Sequence, residues 1–376
     1  MKPMIPIPFN QWLFFVWLFF FAIGCEKDGP ISTVGPEDSK SVSAGGQHTL
    51  ALESNGTLWA WGSNEYGQLG DSTAIDNTFP ISIGDGYADI AAGANHSVGL
   101  KSDSTLWTWG NNEFGQLGDG TLSEKHSPML IDSGYVAIAS GYDHTLAIKA
   151  DGTLWTWGLN NSGQLGDGTF VNRKKPVLVG SGFTTVAAGG NHSMALMQDG
   201  TLWAWGDNSL GQLGDTTLKH GSTSPKPIGI GYTAIAAGDN HSLAVKTDGT
   251  LYAWGRNNYG QVGDNTTADT TLPVLIGSGF SAVGAGSFFS VALKVDGSMW
   301  GWGDNAIFGQ VGDGTNETRK APVKIGSGFE RISVGSFHAA AIKTDGTIWV
   351  WGNNNKGQLG DGTHQDRNAP VRIGPM

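Results

Sequence analysis

The stretch AIASGYDHTLAIKADGTLWTWGLNNSGQLGDGTFVNRKKPVLVGSGF, residues 137–183, decides the fold. It opens on a small apolar run, Ala137–Ala139, that reads as a short first strand. Gly141 and two variable residues separate it from a second strand, His144–Lys149. Asp151-Gly152 follows, and D-G between two alternating segments is a strong hairpin signal. The third strand is Thr153–Trp157, ended by Gly158. A loop rich in Gly and Asn then carries GQLGDGT, and a fourth strand is predicted to start at Pro176, where an outer edge tolerates a residue without a ladder donor. Period-two alternation places Trp155 and Trp157 on one face of the sheet. Leu146 and Ile148 point one way, and Ala147 points the other. Both faces are apolar, so such a sheet needs a neighbour on each side.

The phrase recurs along the chain. W-x-W-G stands at 59–62, 107–110, 155–158, 203–206, 300–303 and 349–352, with YAWG at 252–255. The second Trp falls at Trp61, Trp109, Trp157, Trp205, Trp254, Trp302 and Trp351, in steps of 48 or 49 residues. Seven units fill residues 41–374. A buried Trp contributes roughly 4–6 kcal/mol gross, from ~150–250 Å² at ~25 cal/mol/Å². Repeats of one four-stranded sheet predict a ring, an all-β seven-bladed β-propeller of four-stranded antiparallel blades. A linear solenoid needs distinct capping repeats, and none is seen.

Composition agrees. The chain has 376 residues with 59 Gly, too many for long helices, since each interior helical Gly costs about 1 kcal/mol. The balance of 22 Lys+Arg against 33 Asp+Glu gives −11, so phosphate backbones are not attracted by counterion release, and nucleic acid is not an expected partner. One Cys excludes an internal disulfide framework and any Cys-rich zinc site.

That Cys lies at the end of residues 1–25, MKPMIPIPFNQWLFFVWLFFFAIGC. Lys2, the apolar run Trp12–Ile23 and Gly24 read as an export signal, since twelve apolar residues are too few to span ~30 Å of hydrocarbon. AIGC resembles the lipobox of bacterial lipoproteins, with Ala22 where Leu is usual. The resemblance implies a signal peptide over 1–24 and lipid on Cys25. Residues 25–40, the lipidated cysteine with a Pro-, Gly- and Ser-containing polar run, read as a tether. Glu26-Lys27-Asp28 resembles the acidic tag that sends some lipoproteins to the cell surface. The expected address is therefore the outer membrane, facing outward and held only by the lipid. The periplasmic face and secretion are the alternatives.

The phrases A-A-G-x-x-H-S-x-A-L, D-G-x-L-W-x-W-G and G-Q-L-G-D-G-T together resemble the regulator of chromosome condensation repeat family, which forms seven-bladed propellers. The resemblance covers about nine-tenths of the chain. Eukaryotic members include a nucleotide-exchange factor for a small GTPase, an activity not carried over here because no repeat holds a long insertion. Secreted bacterial members, one an inhibitor of β-lactamases, are similar in architecture and address. The expectation is a monomeric, lipid-anchored binding module with an unidentified protein partner and no cofactor. An inhibitor or receptor of a specific secreted enzyme is the first alternative. A hydrolase or lyase working in the central funnel is the second.

His48, His96, His144, His192, His241 and His338 share one repeat position, and Phe289 holds it in the sixth unit. Metal ligands converge on one point, so one His per blade reads as structural rather than as a metal site. The Asp of each GQLGD phrase (Asp71, Asp119, Asp167, Asp215, Asp264, Asp313 and Asp361) reads as a turn former. No catalytic motif is found, and the chain is not read as an enzyme. Asymmetry concentrates at the G-x-x-H end. Tyr142 and Asp143 stand there in the third unit. Phe288 and Phe337 replace the polar residue that precedes the His, and an insertion brings Ile307 and Phe308 nearby. With Phe289 these are the candidate partner-binding residues.

Overall fold

The computed structural model describes residues 39–374. The export signal, Cys25 and most of the tether lie outside the described residues. Among the described residues are 28 strands and no helix. They form seven four-stranded antiparallel sheets over 39–84, 87–133, 135–180, 183–229, 232–277, 280–326 and 329–373, here blades 1 to 7. Every sheet is built from four consecutive strands. The first strands of neighbouring blades touch, those of blades 7 and 1 included. First strands therefore line the central channel, fourth strands form the perimeter, and the ring closes without strand exchange.

Blade 3 shows the local causes. Its strands are Tyr135–Ser140, His144–Lys149, Leu154–Gly158 and Arg173–Gly180. Between the second and third, Lys149 N–H donates to Thr153 O and Gly152 N–H to Lys149 O, closing a three-residue turn. Gly152 sits at φ 78°, the left-handed conformation such a turn requires. The Asp151 carboxylate accepts from the Thr153 amide and hydroxyl. Blade 2 puts Ser104 at the glycine position, with φ 65°.

The fourth strand departs from the sequence reading. It begins at Arg173, three residues before Pro176. Its register breaks between Gly158↔Arg173 and Thr156↔Val177, so Pro176 falls where no ladder donor is needed.

The core lies between blades. Trp157 packs on Val98, Leu100 and Leu106 of blade 2, beside Ala147 of its own blade. On the opposite face Leu146, Ile148 and Leu154 meet Phe183 and Trp205 of blade 4. The second Trp of all seven motifs is fully buried. Its indole N–H donates to a Gln carbonyl on the preceding blade, as in Trp157 to Gln116 O at 2.9 Å and Trp61 to Gln358 O at 2.9 Å. The GQLGD loop of one blade is thus the acceptor for the next, and the same bond joins blade 7 to blade 1.

Candidate functional site

Strand polarity separates two ends. Each first strand runs toward its G-x-x-H turn, and the loop after W-x-W-G lies at the same end, called here the mouth. Each fourth strand runs back toward the D-G hairpins. Ser39 and Ile373, the ends of the first and last strands, therefore both lie at the hairpin end.

At the mouth, the residue after the turn glycine donates its N–H to a carbonyl of the next blade, from Gly46 to Gly93 O at 3.0 Å round to Ser336 to Gly45 O at 3.1 Å. Seven such bonds circle the channel. The approach is too close for a side chain on the glycine. A Cβ on Gly141 would come within 3.0 Å of Gly189 O and the His144 ring.

Four of the variable turn residues meet across the channel. Tyr142 Oη lies 3.0 Å from Ser287 Oγ, linking blade 3 to blade 6. The Asp239 carboxyl stands next to both, and Ser336 next to Tyr142. Burial raises the Asp239 pKa against the pull of those two hydroxyls and of Arg256. The cavity at this polar bridge measures about 60 Å³ and is lined by residues such as Ala44, Ala92 and Ala188. Small-molecule sites usually occupy ~300–1,000 Å³. The cavity at the bridge is therefore smaller than a usual small-molecule site.

The shared His residues lie outside that bridge, fully buried between blades. His48 Nε2 meets Ser97 Oγ at 2.9 Å, and the Ser97 hydroxyl donates to Gln68 O at 2.7 Å. A hydroxyl has one proton, so His48 must donate through Nε2–H, and its Nδ1 is a bare acceptor without a protein partner. The same arrangement recurs for His96, His144, His192, His241 and His338, the last reaching Thr49 of blade 1. Burial lowers the pKa of His48, His144, His241 and His338 to about 3, and of His96 and His192 to about 4. These rings are neutral interblade staples.

The interface between blades 6 and 7 differs. Phe289 fills the imidazole position, and Ala339 stands where the hydroxyl should be. Phe289 is fully buried, which corrects its expected place on a binding surface: it lines the core and cannot touch a partner.

The GQLGD aspartates form turns. Asp167 accepts from the amide and hydroxyl of Thr169, from Asn160 and from Arg173. Although burial opposes it, these bonds hold the Asp167 carboxyl below its ordinary pKa.

The remaining candidates gather on one sector of the mouth. Phe288 and Phe337 are half-buried, with ring centroids 6.2 Å apart. Phe308, brought in by the insertion, stacks edge-on against Phe337 at 5.6 Å, and Tyr259 of blade 5 meets Phe288 at 5.2 Å. Ile307 beside them is 69% exposed. The Arg256 guanidinium lies 5.0 Å above the Phe288 ring. The same insertion has a second effect. In the other six blades the GQLGD Gln Oε1 accepts a loop amide, as Gln116 does from Phe114 at 2.9 Å, whereas Gln310 Oε1 is buried without a partner.

Across the mouth, Gln116 donates to Asp143 at 3.3 Å. Burial, and secondarily the neighbouring Glu113 charge, pushes the Asp143 pKa up to about 6.

The model of the RCC1-like domain matches residues 25–230 and 181–376. The chain belongs to the RCC1-like domain family. Solved structures show the same fold. Human WBSCR16 superposes with a TM-score of 0.76 at 22% identity, covering 85% of this chain and 94% of that one. Prp20p of Saccharomyces cerevisiae, whose structure was described with its binding to Gsp1p and histones, gives 0.76 at 24% identity over 86% and 87%. Yeast RCC1 (Prp20) in complex with Kap60 gives 0.75 at 21% identity over 95% and 91%. No curated protein sequence matches this RCC1-like chain significantly.

Two parts of the mouth escaped the sequence reading. The Tyr142–Ser287 bridge joins residues 145 apart, at a position that holds Gly, Ala, Tyr, Asp or Ser in different repeats. Tyr259 and Arg256 are signalled only by being the residues after YAWG in the blade next to the Phe288 turn.

Proposed function

We propose that this chain is an exported protein-interaction module, lipid-anchored at Cys25 and facing outward from the outer membrane of a bacterial cell. Its binding surface is the aromatic sector of the mouth over blades 5 to 7. The observation that carries the reading is the Phe288, Phe337, Phe308 and Tyr259 cluster of accessible aromatic rings, of which Phe288 and Phe337 stand where blades 1 to 5 carry the polar Gln47, Asn95, Asp143, Asn191 and Asn240. The protein partners named for the yeast relatives support a binding role. Both ends of the described chain lie at the hairpin end, opposite the mouth. From Cys25 to Ser39 is 14 residues, at most about 50 Å of chain, so a lipid there tethers the propeller by the face that does not bind.

Cross-linking on intact cells, read by mass spectrometry, tests the surface. The wild type should yield a stoichiometric protein partner, and Phe288→Ser with Phe337→Ser should reduce capture tenfold or more at unchanged melting temperature. Equal capture by the variant removes this surface. A palmitate analogue should label the wild type and not Cys25→Ser, and labelling that survives the substitution removes the anchor.

A further inference from the structure

The inner ring of the mouth is electrostatically lopsided. Its turns and the starts of its W-x-W-G loops carry the carboxylates Glu65, Glu113, Asp143 and Asp207 on blades 1 to 4, and none has an ion-pair partner among the described residues. Chain cations are spent at the perimeter, where Lys125, Arg173, Arg319 and Arg367 pair with the Asp of their own GQLGD turns. On blades 5 to 7 the two inner bases are engaged locally. Arg256 lies over the Phe288 ring and beside Asp239, and Lys356 pairs with Asp76 at 3.1 Å. The carboxylate at the matching loop start of blade 6, Asp304, is buried and accepts from Ala306 N–H and Gln310 Nε2, so blades 1 to 4 present the acidic arc and blades 5 to 7 the aromatic platform.

Resting on the mouth as the binding surface, we infer that its partner docks through a basic protein segment with an apolar anchor: the anchor side chain sits on Phe288, Phe308 and Phe337, and flanking Lys or Arg side chains reach the acidic arc. Three observations select this occupant. The platform offers rings already held against one another, which suits an apolar side chain. The arc offers unpaired carboxylates, and Asp143 is half-buried beside Glu113 with a single side-chain amide for support. A partner cation there relieves a like-charge contact that the protein leaves unrelieved. An acidic segment would instead face that arc in a chain of net charge −11.

The test uses the full chain and three fluorescent decapeptides: Lys-rich with one central Trp, Glu-rich with the same Trp, and Lys-rich with Ala in place of Trp. Fluorescence anisotropy at low salt should show the Lys/Trp peptide binding at least tenfold more tightly than either other peptide. Glu65→Lys with Glu113→Lys, both at exposed positions, should weaken it tenfold or more, as should Phe288→Ser with Phe337→Ser. Equal or tighter binding of the Glu/Trp peptide overturns the inference, as does binding indifferent to the lysine substitutions, or no binding of the Lys/Trp peptide at millimolar concentration. Each of those results leaves the aromatic surface itself standing if cellular capture still depends on Phe288 and Phe337.

Discussion

Restoring the repeat's own residue at position 289 should damage the protein, and restoring its partner as well should mend it. Phe289→His places an imidazole between blades 6 and 7 opposite Ala339, which offers no hydroxyl. The Nε2–H would be buried without an acceptor, a loss of about 1–3 kcal/mol, and a smaller, more polar ring would replace a fully buried phenyl. Together these amount to about 2–4 kcal/mol. Ala339→Ser alone adds a hydroxyl that can donate to Gln310 O, as Ser290 does to Gln261 O at 2.8 Å, and should change stability by less than about 1 kcal/mol. The double variant rebuilds the relay from imidazole to hydroxyl to carbonyl present at the other six interfaces. It should lie within about 1 kcal/mol of the wild type, with a coupling energy of about 1–3 kcal/mol. Urea unfolding followed by Trp fluorescence on the four proteins measures it. Coupling below about 0.5 kcal/mol would refute the view that these two positions changed as a pair.

Acid should unfold the protein steeply. The six staple His residues have native pKa values of about 3 to 4 against 6.5 unfolded, so the unfolded state binds more protons, and stability present above pH 6.5 is lost as pH falls toward 4. Each contributes up to about 1.4 kcal/mol per pH unit. Asp89, Asp143 and Asp239, with raised pKa values, oppose the trend. Denaturation midpoints between pH 7 and 5 should fall accordingly, and His144→Gln should flatten the slope by about one proton; a slope near zero would contradict the neutral, donating tautomer. Ser104→Gly, which relieves a left-handed serine in a D-G-type turn, should stabilise by about 0.5–1 kcal/mol in the same assay; destabilisation would show that the serine side chain matters more than its backbone.

The blades were legible because each repeat carries its own instructions. Alternation sets the second and third strands, Asp151-Gly152 sets their turn, and the 48-residue step of the Trp pairs counts the sheets. Strand starts were less legible: Pro176 drew attention to itself, while Arg173 pairs with Gly158 across a bulge that no local pattern announces. The aromatic sector could be located because Phe288 and Phe337 break a repeated position. Their role could not be separated from that of Phe289, since Phe288, the last turn residue, and Phe289, the first of the strand, look alike in sequence while Phe289 is buried in the interblade core and Phe288 lies at the mouth. The staple partners are hidden for a different reason. His144 and Ser193 are 49 residues apart on different sheets, and only the joint loss at Phe289 and Ala339 betrays the pairing.

The position of the first strand also bears on mechanical load. Tension from the N-terminal side enters at Ser39, the hairpin end of an innermost strand, and acts along that strand. Its ladder with His48–Glu53 runs across the direction of pull, so those bonds share the load in shear instead of opening one at a time. The far end of the strand is clamped as well, with Ala44 N–H donating to Ser333 Oγ at 2.9 Å and Gly45 O accepting from Ser336 at 3.1 Å, both on blade 7. Extracting the strand therefore breaks the ring at its seam and the blade 1 ladder in one event. Resistance to force under flow is set by that concerted rupture, and it need not follow the resistance to urea or acid.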